Sequence, residues 1–83
     1  MRNKLWREGT IIIPEGDEKY VACKYWLKRY DTGSKYGIDG GRISKLELRI
    51  DDRKVCNYDR GWDIKPTCPE AEKALAILLE EFN

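Results

Sequence analysis

The apolar positions of this chain alternate with polar ones over most of its length and fall into a helical period only near the end. Tyr20 to Tyr30 (Tyr-Val-Ala-Cys-Lys-Tyr-Trp-Leu-Lys-Arg-Tyr) carries no Gly or Pro and interleaves aromatic and β-branched residues with Lys and Arg. That two-residue period predicts a strand with Val21, Cys23, Tyr25 and Leu27 on a core face. Tyr20, Ala22, Lys24, Trp26, Lys28 and Tyr30 share the other face. Upstream, Leu5 to Ile13 ends in Thr10-Ile11-Ile12-Ile13 and reads as a first strand, with Gly9 as a candidate bulge. Pro14-Glu15-Gly16-Asp17 reads as the tight reversal between the two, since Pro presets φ and Gly supplies positive φ. Downstream, Arg42 to Ile50 resumes the alternation, with Ser44, Leu46, Leu48 and Ile50 inward and Ile43, Lys45, Glu47 and Arg49 outward. Asp51-Asp52-Arg53 then turns the chain into a fourth strand, Lys54 to Arg60. A two-residue loop there puts Asn57 inward, and a three-residue loop puts Cys56 and Tyr58 inward. The second is preferred, because Asn57 and Asp59 would otherwise need buried partners.

Gly61-Trp62-Asp63 ends the sheet in this reading. Thr67-Cys68-Pro69-Glu70 then fits a capping box, in which a Thr hydroxyl and a Glu carboxylate satisfy the free N–H groups of a helix start. At 100° per residue Ala71, Ala74, Leu75, Leu78, Leu79 and Phe82 gather on one arc, so a helix is expected to about Phe82. Ile77 falls outside that arc and is expected to meet a loop or solvent. The sum is a single α+β domain over residues 1–83: a four-stranded antiparallel sheet, a meander, with one C-terminal helix packed on one face. One helix covers one face. The opposite face, with Lys24, Trp26, Lys28, Tyr30, Ile43, Lys45 and Arg49, is left open or covered by something else.

Composition narrows the class. An 83-residue chain with 37% charged residues and no long apolar run is too polar to span a membrane and apolar enough to fold. The start, Met1 to Trp6, is basic but lacks the apolar stretch of a secretory signal, so a cytoplasmic protein is expected. Cys23, Cys56 and Cys68 are odd in number and widely spaced, which predicts reduced thiols acting as small apolar residues. No histidine is present, and the commonest general base is missing with it. Net charge is +1, yet Lys24 to Trp62 carries ten basic against six acidic residues, and Asp63 to Asn83 two against five. This reads as an uneven solvated surface before it reads as a steering field.

Several motifs carry candidate chemistry. Asp31-Thr32-Gly33 matches the aspartic protease signature, but Lys28-Arg29-Tyr30 precedes it in place of an apolar strand end, so a turn in which Asp31 bonds its own backbone is expected instead. Asp31 to Gly41 holds four of the seven glycines in an eleven-residue loop without either phosphate-loop pattern. A loop of that length within a small domain points to a binding role for Ser34, Lys35, Tyr36 and Arg42. Asp59-Arg60-Gly61-Trp62-Asp63 sets two carboxylates around Arg60 and Trp62, too few oxygen ligands for a cation. The three cysteines lack the spacing of a zinc site. The alternation from Lys24 through Trp26 and Lys28 to Tyr30 suits single-stranded nucleic acid, with rings stacking bases and lysines meeting phosphates; the plain alternative is a strand shielded by long side-chain stems.

Tyr25-Trp26, Tyr30-Asp31, Gly33-Ser34, Tyr36-Gly37-Ile38, Gly40-Gly41-Arg42-Ile43-Ser44-Lys45-Leu46 and Asn57 to Asp63 together resemble a family of short uncharacterised proteins of Gram-positive bacteria and their phages. The resemblance runs from Tyr25 to Phe82 and does not reach the N-terminal hairpin. It implies a domain of unknown function with no catalytic residue or cofactor to carry over. It further implies that the glycine-rich loop and the turn containing Arg60 and Trp62 are shared features lying near each other. The expected function is a non-catalytic protein-interaction module, homodimeric or with a foreign partner, using the open face and the loop. Single-stranded nucleic-acid binding through the same face is the alternative.

Overall fold

The alternating stretches pair in chain order. The computed structural model describes residues 5–83, and the basic start from Met1 to Lys4 lies outside them. Strands β1 (Trp6–Gly16), β2 (Lys19–Arg29), β3 (Ile43–Ile50), β4 (Arg53–Asp59) and β5 (Trp62–Ile64) form one antiparallel sheet in that order. Helix α1 (Pro69–Phe82) lies against β1, β2 and β3. The α+β meander with one C-terminal helix is therefore what forms, with five strands where four were expected. The fifth is three residues long and pairs Trp62 with Tyr58 and Ile64 with Asn57. A strand that short carries no readable alternation. Among the described residues no helix is long and apolar enough to cross a membrane.

The β1–β2 reversal sits later than its sequence suggested. β1 runs through Pro14, which pairs with Tyr20, and the chain turns at Asp17 and Glu18, the latter at φ 61°. Pro14 is tolerated because β1 is an edge strand, where a missing N–H breaks no ladder. Gly9 is not a bulge: it pairs regularly with Tyr25, and a side chain there would meet the Tyr25 hydroxyl at 2.8 Å.

Two bulges settle the faces of β3 and β4. Lys28 pairs with Lys45 but Arg29 with Ile43, so Ser44 has no partner in β2 and the parity of β3 reverses there. Ile43, expected outward on the open face, is consequently fully buried on the helix side. At the other end Asp51 and Asp52, at φ 52° and 62°, form a two-residue hairpin turn. Alone it would have turned Asn57 inward. Val55 is extruded between Leu48–Cys56 and Arg49–Lys54, which restores Cys56 and Tyr58 to the core as expected, by a different route.

The core lies between sheet and helix: Ile13, Cys23, Leu27, Leu46, Leu48 and Cys56 meet Ala71, Ala74 and Leu78. Each fully buried aliphatic side chain of this kind contributes roughly 1.5–3 kcal/mol. Leu75, Leu79 and Phe82 flank it half-buried, and Ile77 is 42% exposed. The capping box does not form. The N-cap is Cys68, with no side-chain bond, and Pro69 opens the helix; the Thr67 N–H donates instead to the Val55 carbonyl at 3.0 Å. Pro at the first helical position needs no N–H partner, which moves the start one residue past Thr67.

Candidate functional site

The sheet face away from α1 is uncovered by any other described element, and pairing arranges its side chains in rows across the strands. One row is Glu8, Trp26, Glu47 and Asn57. On one side of it lie Thr10, Lys24, Arg49 and Lys54, and on the other Trp6, Lys28, Lys45 and Asp59. Trp26 thus sits half-buried between two carboxylates. Glu47 is paired with Arg49 and, at 3.6 Å, with Lys54. Lys28 places its ammonium 5.7 Å from the Trp6 ring and 5.3 Å from the Tyr30 ring, so its charge is spread over two aromatic faces. Trp6 is 43% exposed, and Trp6 and Trp26 together line two grooves of about 230 and 290 Å³.

The glycine-rich loop is an ordered plug. Ile38, in a short 3₁₀ turn (Ile38–Gly40), is buried in the core, and the turn is fixed at its far side by Asn83. The Asn83 amide donates to the Ile38 carbonyl at 3.0 Å, and its oxygen accepts from the Ile43 N–H at 2.9 Å. Gly37 and Gly41 are required by closeness: a Cβ on Gly37 would strike the Gly41 carbonyl, and one on Gly41 would strike the Asn83 side chain. The loop also hangs on β4, because the buried Tyr58 hydroxyl donates to the Tyr36 carbonyl at 2.8 Å.

That bond brings the loop against the β4–β5 turn, as the sequence resemblance implied. Arg60 occupies the turn at φ 57°, with its N–H donating to the Ser44 carbonyl at 2.9 Å. Between turn and loop opens a cleft of about 570 Å³. Its cations are Lys28, Lys45 and Arg60, its rings Tyr30 and Tyr36, and its hydroxyls Thr32, Ser34 and Ser44; no carboxylate lines it. Asp59 lies 3.9 Å from Lys45 and 3.7 Å from Arg60. Ser34 accepts the Tyr36 N–H on its hydroxyl at 3.2 Å.

Of the residues singled out in the sequence, Lys28, Tyr30, Ser34, Tyr36 and Arg60 come together here. Lys24 and Trp26 lie farther along the open face. Lys35 sets its ammonium over the Tyr36 ring at 5.3 Å, and Arg42 is half-buried with its carbonyl accepting the Tyr30 N–H. Trp62 sets its ring edge-on to Tyr58 at 5.0 Å, closing the core's rim. Trp6, Lys45 and Ser44 were not singled out as binding residues. Pairing of β1 with β2 puts Trp6 on the open face beside Lys28.

The remaining chemistry-bearing groups are separated. Asp63 accepts from the Asn57 amide at 2.9 Å, Asp59 is engaged with Lys45 and Arg60, and no three metal-ligating side chains cluster among the described residues. Burial pushes the Cys23 thiol up to about 11 and that of Cys56 to about 12, each raised further by a neighbouring cysteine. All three cysteines are free thiols.

Comparison with curated proteins and with solved structures gives no match. A family profile described as a domain of unknown function, DUF7678, matches residues 5–83, so the β1–β2 hairpin falls within it. The chain belongs to the DUF7678 family.

Proposed function

We propose that this domain is a non-catalytic, cytoplasmic interaction module whose open sheet face, centred on Trp6 and Trp26, receives an acidic surface of another protein. The observation that carries this is the uncovered face itself, with two Trp side chains at its middle and Lys24, Lys28, Lys45, Arg49 and Lys54 around them. Aromatic centres inside a polar rim are the usual arrangement of protein interfaces. Five cations against Glu8, Glu47 and Asp59 leave the face net positive, so two copies repel and an acidic partner is attracted. Single-stranded nucleic acid is the weaker reading of this face, because a strand stacked on Trp26 would bring its phosphates against Glu8 and Glu47. The non-catalytic reading is supported by the burial that keeps the Cys23 and Cys56 thiols protonated, and by the engagement of Asp59 with Lys45 and Arg60 and of Asp63 with Asn57.

The test is site-specific photocrosslinking in cells from position 26, with position 80 on the outer side of α1 as control, followed by calorimetry with the partner so identified. Trp26→Ala should weaken that complex by about 2 kcal/mol or more. Equal crosslinking from both positions, or a complex indifferent to Trp26→Ala, would refute the reading.

A further inference from the structure

We infer that the cleft between the glycine-rich loop and the β4–β5 turn is a second site, adjoining the open face through Lys28 and Lys45, and that it binds a nucleoside 5′-phosphate unit. The charge sets the first half of the ligand. Lys28, Lys45 and Arg60 converge on a space that no carboxylate lines, and Asp59 beside Lys45 and Arg60 offsets one of the three charges. The remaining excess matches a phosphate monoester, which carries about −1.5 to −2 at neutral pH. Thr32, Ser34 and Ser44 add hydroxyls that can donate to its oxygens. The rings set the second half. Tyr30 and Tyr36 line the same cleft and remain 41% and 50% exposed, so each offers a surface on which a planar base can stack. A simple anion would leave both rings unused, and an uncharged ring compound would leave the cationic excess of Lys28, Lys45 and Arg60 over Asp59 unmatched.

The walls are held in place before any ligand arrives. The Tyr58 hydroxyl holds Tyr36 by its carbonyl, and the Arg60 N–H holds the turn to Ser44. Arg60 keeps a left-handed backbone at φ 57°, which few residues other than Gly, Asn and Asp adopt, and this projects a cation into the cleft at the tip of the turn. Such preorganisation lowers the entropic cost of binding.

The same unit occurs free as a mononucleotide and as the phosphorylated end of a single strand, and titration separates the two sources. The probes are nucleoside 5′-monophosphates, a 5′-phosphorylated single-stranded decamer, the same decamer ending in a 5′-hydroxyl, and inorganic phosphate, each followed by calorimetry and amide shifts. Saturable binding of a phosphorylated probe with Kd below about 1 mM is expected. A monophosphate binding as well as the phosphorylated decamer assigns the site to free nucleotides; a decamer that needs its 5′-phosphate and binds more tightly assigns it to strand ends. Arg60→Gln at an exposed position and Lys45→Gln at a half-buried one should each weaken binding about three- to tenfold. Tyr36→Ala should weaken it about fivefold or more. Trp26→Ala should leave it unchanged, so failure of this site and failure of the protein interface are read separately. No saturable binding, equal affinity for inorganic phosphate, indifference to the 5′-phosphate, or affinity unaffected by Arg60→Gln would each overturn the inference.

Discussion

At the scale of single residues, the cysteines are the clearest case of chemistry suppressed by packing. Cys23 and Cys56 are fully buried opposite Ile11 and Leu48, so their ionised forms are disfavoured, and their protons are held to about 11 and 12. In the unfolded chain a thiol ionises near 9.0. Below that pH both states keep the proton, and the contribution of the buried neutral thiols is fully present. Between about 9 and 12 the unfolded chain sheds protons that the fold retains, so stability falls as pH rises. Urea denaturation at pH 10 should therefore find a loss on the order of 1 kcal/mol per thiol relative to pH 7. The loss should be smaller in the Cys23→Ala, Cys56→Ala double variant, measured against its own value at pH 7. An equal slope in both proteins would mean that the two thiols do not drive the alkaline change.

At the scale of elements, one side chain joins three of them. Asn83, just past α1, accepts from the first N–H of β3 and donates to the carbonyl of Ile38, so helix, sheet and loop share a residue. Asn83→Ala leaves a half-buried donor and acceptor without partners, at a cost of about 1–2 kcal/mol. For a chain of this size that lowers Tm by about 4–8 °C for each kcal/mol. Hydrogen exchange should accelerate at Gly41 and Ile43 while staying slow at Leu27 and Leu46; acceleration everywhere would mean the contact holds the whole fold rather than the loop. Nothing in the sequence marks Asn83, because its partners lie forty and forty-five residues away and are backbone groups. The same limit explains what else was not legible. Alternation and helical period are local, and they placed four of the five strands, the helix and the inward set of β2. Bulges at Ser44 and Val55 are choices made by the pairing of two strands, so Ile43 was assigned to the wrong face, and Cys56 reached the right one by an unforeseen path. The cleft was half legible: Lys28, Tyr30, Ser34, Tyr36 and Arg60 were singled out by residue type, and alternation put Lys45 on the open face, whereas Ser44 sits at the β3 bulge that pairing alone creates.

At the scale of the whole molecule, charge is divided between the two sides. The open sheet face is net positive, and α1 turns Glu72, Glu80 and Glu81 outward with Lys73. Two copies could in principle stack sheet on helix, but that contact is heterologous and, repeated, builds open arrays rather than a closed dimer. Face-to-face pairing brings like charges together. Within the face, Glu47 is already neutralised by Arg49 and Lys54, and Lys45 is beside Asp59, which weakens what is left for a second copy's helix to attract. The expected solution state is therefore a monomer of 9.8 kDa at tens of micromolar and physiological salt, for wild type and for Trp26→Ala alike. Light scattering checks this directly. A wild-type dimer that Trp26→Ala dissolves would make the open face a self-interface and overturn the assignment of a foreign acidic partner. A mass that grows with concentration at low salt and collapses to 9.8 kDa at high salt would instead reveal sheet-on-helix stacking, with Trp26 untouched at its centre.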